Sequence, residues 1–388
     1  MWENNKLGNL CLVGDGAHAS IERVESGILY LSSKNFKKGI IDLSDVDYIS
    51  PFNYSKHFKE TKAVTKPTHN DLLLGIIGSL GSPYLVKPED VIGISSSVAI
   101  IRPKQLLDSR FLFYYLTSSF VQNYIEAIKS GAAQGFVSLE MLKSIPVRLP
   151  PLSLQRQIAT VLGRYDALLE NYQAQVAALE GLAQELYREW FVRGRCPGAA
   201  AGPNGEFPTG WQVTTVESVV KRLKFGKTFK PDEVDSEGKV IVVDQSVSGF
   251  LGYHDKEPDH LASIETPIIT FGDHSCKMTL MAQPFSLAEN VIPFIASNKF
   301  TPAYYLYEAI KSLIETQEYK RHWTDLLSKQ IIIPPLIEQN NFAKSVKPFF
   351  SKCENIRNQM GLLRATRDAL LPRLLSGQLL PAPIVPTA

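Results

Sequence analysis

Cysteine is scarce in this chain: four in 388 residues, Cys11, Cys196, Cys276 and Cys353, with no C-x-x-C pair among them. Such scattered thiols speak against a zinc knuckle or a disulfide framework and read as buried or idle groups. Long apolar runs are missing too. The opening MWENNKLGNLCLVGDG lacks the basic segment and continuous apolar stretch of a signal peptide, and no later stretch reaches the roughly 18 apolar residues of a membrane span. The expectation is a cytoplasmic protein that makes no use of a membrane. There is no G-x-x-x-x-G-K-S/T loop to cradle a nucleotide phosphate. Charge of one sign is also lacking, since the formal net charge is only +2, a value that neither demands nor excludes a nucleic-acid partner. At 44% hydrophobic and 21% charged, the composition is that of a globular protein, and its length calls for two or more domains.

What is present is a repeat. The stretch LPPLSLQRQIA, Leu149 to Ala159, returns as IPPLIEQNNFA, Ile333 to Ala343, and an offset of 184 aligns the two without a gap. Pro150, Pro151, Leu152, Gln155, Ala159 and Asn171 map onto Pro334, Pro335, Leu336, Gln339, Ala343 and Asn355. Downstream, Ile158, Leu162, Tyr165, Leu169, Tyr172, Val176, Leu179, Ala183, Leu186 and Trp190 follow alternating steps of four and three, the spacing of a coiled-coil seam. The same offset gives Phe342, Val346, Phe349, Cys353, Ile356, Met360, Leu363, Arg367, Leu370 and Leu374, with Arg367 the one break in apolarity.

Each copy is therefore predicted to be a long helix entered from an extended Pro-Pro segment, because proline removes an N–H and biases its predecessor away from helix. Ser153 is expected to cap the first helix. Ile337 cannot cap the second, so Glu338 is expected to help through the helix dipole. Arg193-Gly194-Arg195 with Cys196-Pro197, and Ser376-Gly377, are the expected stops. Residues 1–150 form a strand-rich block with runs such as Ile28 to Leu31, Leu72 to Ile77 and Val98 to Ile101 between turn residues. Residues 208–333 form a second such block, after the small-residue linker 197–207. The expected class is α+β: two globular α/β blocks separated by a pair of long antiparallel coiled-coil helices, related by a pseudo-twofold axis. The helical regions are taken as 151–196 and 334–380, with a C-terminal tail 381–388. If the first helix leads away from one block toward the other, the seams can zip along their length only by running antiparallel. Such a calliper suits a partner with two spaced recognition points, duplex DNA read in two half-sites being the obvious candidate.

At this point the residues resemble a family. Gly14-Asp15-Gly16-Ala17-His18, Gly27 to Leu31, Asn35 to Gly39, Tyr48-Ile49-Ser50, Asp71-Leu72-Leu73, Gly78 to Gly81 and Gly135 to Leu139, leading into the first Pro-Pro segment, are similar to the specificity subunits of type I restriction-modification systems. Val243 to Ser246, Gly249 to Tyr253 and Phe271 to His274 resemble that family's second target-recognition domain. The resemblance covers nearly the whole chain and departs at Asn340-Asn341 and at Arg367. It implies a non-catalytic DNA reader that binds two adenine N6-methyltransferase subunits along its helices and joins restriction/translocase subunits. S-adenosylmethionine, ATP and magnesium would belong to those partners and not to this chain. No Asn-Pro-Pro-Tyr-like or Asp-Pro-Pro-Tyr-like motif is present, since both Pro-Pro pairs follow an aliphatic residue, Leu149 or Ile333.

Base readout and phosphate holding call for polar and basic residues in glycine-rich loops. The candidates are Asp15, His18, Ser20, Lys34, Asn35, Lys38, Ser79 and Gln134 in the first block, and Lys227, Thr228, Gln245, Ser246, Asp273, His274 and Lys277 in the second. Turn-forming or fold-satisfying polarity is the competing reading for each, and Gly16, Gly78 and Gly272 are expected to serve backbone geometry. Two other functions stay open. One is a metal-dependent nuclease built on Asp232, Glu237 and Lys239, which sit in a compact, turn-like stretch. The other is a coiled-coil adaptor whose end blocks bind proteins. The polar loop His254 to His260 is expected to hold no metal.

Overall fold

The computed structural model describes residues 2–37, 39–59, 64–129, 135–199, 208, 210–246, 248–297, 301–315 and 320–382. Most of the linker 197–207 and most of the tail 381–388 lie outside these. The chain divides into two compact units, one taking the residues up to Leu169 together with those from Gly361 onward, the other Glu170–Met360. The division cuts both long helices, so each unit owns a piece of each.

In the first unit the strand Glu3–Lys6 pairs antiparallel with Pro146–Leu149, the strand that runs into the first Pro-Pro segment. A one-turn helix, Leu7–Leu10, leads to an antiparallel sheet in the order Cys11–Asp15, Val98–Pro103, Leu72–Gly75, Pro83–Leu85. Side chains on a strand alternate between faces, and here both faces are covered. Leu72, Leu74, Ala99 and Ile101 join a core with Phe111 and Leu112 of the helix Ser109–Thr117. Leu73, Val98 and Ile100 join Leu31, Ile49 and Ile92 of a second sheet, Asp47–Ile49, Ile28–Leu31, Ile92–Ile94. Burial on both sides explains why these strands read as continuous apolar runs.

The second unit repeats this plan. Gln212–Thr215 pairs antiparallel with Gln330–Ile333 at the second Pro-Pro segment, and the one-turn helix Val216–Val219 follows. The next sheet has the order Val220–Arg222, Val291–Ala296, Ile268–Gly272, Met278–Met281. A companion sheet, Thr228–Phe229, Phe285–Ala288, Val240–Val243, Phe250–His254, contains two parallel pairings. The internal repeat thus extends into the globular blocks, where the sequence identities that mark it in the helices have faded. The architecture is the α+β class expected.

The first long helix spans Leu152–Tyr187 and continues through a π-helical turn, Arg188–Val192; the second spans Leu336–Ser376. Gly194 (φ +69°) and Gly377 (φ +77°) follow them in the left-handed conformation that glycine adopts without a Cβ clash. Every residue of both seams is buried or half-buried. In the first unit Ile158, Ala159 and Leu162 share a core with Leu374 and Leu375; in the second, Ala183 and Tyr187 share one with Phe342, Val346 and Phe350. Early residues of one helix therefore meet late residues of the other in each unit, which makes the pairing antiparallel. The break at Arg367 is answered locally: its Nη1 donates to Asp166 Oδ1 at 2.6 Å, and Asp166 Oδ2 accepts from the Tyr114 hydroxyl. The second helix also runs through Pro348 and Pro372, which each remove one helical hydrogen bond. The carbonyls four residues earlier belong to Lys344 and Asp368, both exposed.

The helix starts differ from expectation. Ser153 lies inside the helix, whose first bonds run from the Leu154 and Gln155 N–H groups to the carbonyl of Pro151, so Ser153 is not its cap. The entry is held by Gln155, fully buried: Nε2 donates to Pro150 O (2.9 Å) and Leu106 O (3.0 Å), and Oε1 accepts from Asp108 N (2.8 Å). Gln339 makes the matching bond to Pro334 O at 2.7 Å. Glu338 acts by more than the dipole, accepting from Trp211 Nε1 at 2.7 Å. Replacing Gln155 with Ala removes three hydrogen bonds, one of them to the buried Pro150, and should destabilise the full chain by about 2 kcal/mol or more. Gln339→Ala, which breaks the single bond to Pro334, should cost less. Urea unfolding of the two variants measures the difference, and equal losses would contradict this account of the entry.

Candidate nucleic-acid interface

The first-block candidates are far apart in sequence, and the fold gathers several of them through backbone and serine hydrogen bonds. Asp15 ends the strand Cys11–Asp15, and in the following turn Ala17 N–H donates to Ile94 O at 2.9 Å while Ala17 O accepts from Ser96 N at 3.1 Å. Ser97 Oγ accepts from Ser33 N at 3.0 Å, and Ser33 Oγ donates to the carbonyl of Ile77. Gly78, at φ +77°, donates to Gly135 O at 3.1 Å and turns the chain so that Ser79 is exposed. The turns at 15–18, 33–35, 77–79 and 135–136 thus form one connected group of loops. On it His18 and Ser20 are exposed, and His18 Nε2 lies 2.8 Å from Asp15 Oδ2.

Two of the candidates are occupied by the fold. Asn35 is 2% exposed, with Nδ2 donating to the carbonyls of Asp42 (3.2 Å) and Asp45 (2.9 Å) and Oδ1 accepting from Ser32 N (2.9 Å). It pins a loop and has no free edge for a base. Asp273 is 8% exposed, and its Oδ1 accepts from His322 N (3.1 Å) and Trp323 N (2.9 Å), which holds the start of the short helix Trp323–Leu327. Lys34 is exposed but ion-paired with Asp45 at 2.7 Å. Lys38 and Gln134 lie outside the described residues.

In the second block, Gln245 Oε1 accepts from His274 N at 3.0 Å and Lys277 Nζ donates to Ser246 O at 2.8 Å, so Gln245 and Ser246 are tied to the 272–277 hairpin. Burial pulls the half-buried Lys277 ammonium below the ordinary lysine range, partly opposed by Asp244. Lys227 and Thr228 belong elsewhere, at the edge strand Thr228–Phe229, where both are exposed. Gly272 serves close packing, because a Cβ there would lie 2.5 Å from Ser275 Oγ and 2.7 Å from Gln245 Cβ.

Among the described residues no group of three or more His, Cys, Asp or Glu is placed to hold a metal ion, and no helix is long and apolar enough to cross a membrane. The two histidines of the 254–260 loop are built into the fold. His254 stacks on Phe229 with centroids 4.3 Å apart; its Nδ1 accepts from Lys256 N and its Nε2 meets Ser286 Oγ. His260 stacks on Phe285 at 4.8 Å. Burial lowers the pKa of both rings.

Two basic residue sets emerge that differ in their surroundings. Arg23, Lys34 and Lys37 of the first block face Asp47, Asp45 and Asp42 respectively. In the second block Lys221, Arg222, Lys224, Lys227 and Lys230 are all exposed. Only Lys227 of this set was among the sequence candidates, although five cations within ten residues without an acid were a legible signal. Asn35→Ala and Asp273→Ala should each lower stability by about 1–3 kcal/mol, whereas Ser79→Ala and Thr228→Ala should stay within about 0.5 kcal/mol of the parent. Denaturant unfolding of the four variants tests this division between fold-holding and exposed candidates.

The comparisons with known proteins agree with this picture. Residues 1–180 match the family described as Type I restriction modification DNA specificity domain. Over 72% of its length the chain is 27% identical to the type I restriction enzyme MjaIX specificity subunit of Methanocaldococcus jannaschii, covering 71% of that protein. It is 24% identical over 97% of its length to the MjaVIII specificity subunit of the same organism, covering 93% of it. Among solved structures, the type I restriction-modification system S subunit from M. genitalium shares the fold, with a TM-score of 0.54, 18% identity and 96% of each chain covered. Residues 1–180 thus match the type I restriction-modification DNA specificity domain, and relatives named as type I specificity subunits align along nearly the whole chain.

Proposed function

We propose that this chain is a type I restriction-modification specificity subunit that reads a bipartite duplex DNA target, one block per half-site, and performs no chemistry itself. The observation that carries the reading is the repeated plan of the two blocks. Each has an entry ribbon, a one-turn helix, an antiparallel sheet and its own group of connected loops, and each feeds a Pro-Pro helix start. In such an interface cationic groups hold phosphates and fix register while polar side chains on loops read base edges. His18, Ser20 and Ser79 are exposed for readout in the first block, as is Thr228 in the second. Each mismatched base pair typically costs about 1–3 kcal/mol, so two half-sites read together discriminate far better than either alone.

On this reading the paired helices dock two adenine N6-methyltransferase subunits, and restriction subunits join the same complex. S-adenosylmethionine, ATP and magnesium act in those partners. The purified chain mixed with S-adenosylmethionine should transfer no methyl group to DNA, while co-expression with its methyltransferase should modify a split sequence in the host genome. Exchanging residues 208–333 for the corresponding block of a relative should change the letters of one half-site and keep the other. Methylome sequencing reads the outcome: altered letters in both halves would count against one block per half-site. An adaptor for proteins would give no sequence-specific, salt-dependent DNA binding at all.

A further inference from the structure

We infer that the segment Lys221 to Lys230 is a clamp for the phosphate backbone of duplex DNA, and that it supplies more sequence-independent affinity than the basic residues opening the first block. This deepens the reading above and rests on it. The sequence KRLKFGKTFK carries five cations and no carboxylate. It starts on the edge strand Val220–Arg222 of one sheet and ends at the edge strand Thr228–Phe229 of the other, so it runs along the open margins of both. Gly226 makes the crossing at φ +73°, where a Cβ would lie 2.5 Å from the Asp259 carboxyl carbon.

Two of the five cations lie over aromatic faces. The Arg222 guanidinium lies 4.4 Å from the centroid of Phe225, and the Lys227 ammonium 4.7 Å from that of Phe229. Phe229 is itself fixed by the stacked ring of His254, and Lys256 approaches it at 5.9 Å. Such contacts reduce the ordering cost of a later phosphate contact. Glu233 pairs with Lys227 at 2.6 Å. For Lys221, Arg222, Lys224 and Lys230 no carboxylate lies within ion-pair distance among the described residues.

The opening of the first block is the internal contrast. Its Arg23, Lys34 and Lys37 each face an aspartate between Asp42 and Asp47, so their charge is already compensated in the free protein. A cation with no internal partner exchanges solvent for phosphate and releases a counterion from the DNA. One already paired must first give up its aspartate.

The test uses the full chain assembled with its methyltransferase subunits, a duplex carrying the target found by methylome sequencing, and a scrambled duplex of equal composition. Fluorescence anisotropy across a potassium chloride series gives the slope of log K against log salt. Changing K221Q, R222Q, K224Q and K230Q together should reduce that slope by about 3 to 4, at about 0.9 per phosphate contact. Affinity for both duplexes should fall by the same factor, about tenfold or more, leaving their ratio and the methylated sequence unchanged. K224Q alone should reduce the slope by about 1, which keeps the idea testable if the fourfold variant does not fold. The set R23Q, K34Q and K37Q should change the slope by less than that. An unchanged slope in the first set, with target preference intact in the parent, would mean the lysines only guard sheet edges and would overturn the clamp. A slope loss as large in the second set would overturn the asymmetry. If the parent complex shows no target preference, the reading of function fails first, and the clamp falls with it.

Discussion

Burial of the apolar stripe along two long helices is the constraint on which the rest of the structure depends. Helices of 36 and 41 residues cannot hide such stripes alone, and most helical stability in proteins comes from packing of the apolar face. Here each stripe is used twice. In one unit Ile158 and Leu162 lie in a core with Leu374, Phe111 and Leu112; in the other Ala183 and Tyr187 lie in one with Phe342, Tyr305 and Phe294. The sheets are thereby anchored to the helices, and the loop groups inherit their positions from the sheets. The same burial offsets the cost of Pro348 and Pro372, whose freed carbonyls sit on exposed residues.

The helix entries show how a repeated sequence motif carries a repeated physical task. A Pro-Pro segment offers carbonyls but no N–H groups, and once buried those carbonyls need donors. Gln155 and Gln339 supply them from the first turn. The two copies then diverge in their second partner. Gln155 also ties down Leu106 and Asp108, whereas at the other entry Glu338 is held by the indole of Trp211. The entry geometry is kept while the attachment to the neighbouring block is reinvented.

The two blocks keep one topology and spend their charge differently. Near the start of the first, aspartates 42, 45 and 47 compensate Lys37, Lys34 and Arg23. Along the sheet margins of the second, four cations meet no carboxylate at ion-pair distance among the described residues. A net charge of +2 conceals this contrast, because it averages compensated and uncompensated cations alike.

What the sequence by itself determined was whatever depends on periodicity and local chemistry. It revealed the helices and their seams from steps of three and four, the stops at Gly194 and Gly377, the strand runs Ile28 to Leu31 and Val98 to Ile101, and the α+β class. Those follow from side-chain direction and backbone preference, which are properties of neighbours in the chain. Only the tertiary structure decided the roles of polar residues. Asn35 and Asp273 looked like readers and are fold-holding groups, Ser153 looked like a cap and lies within the helix, and Arg367 looked like a flaw and is paired with Asp166. A polar side chain's task is set by the partner it meets, and that partner is commonly tens to hundreds of residues away, as Trp211 is from Glu338. Periodicity carries no record of such meetings, so the sequence could mark where polar chemistry lies while the folded chain alone determined which groups it consumes and which it leaves exposed.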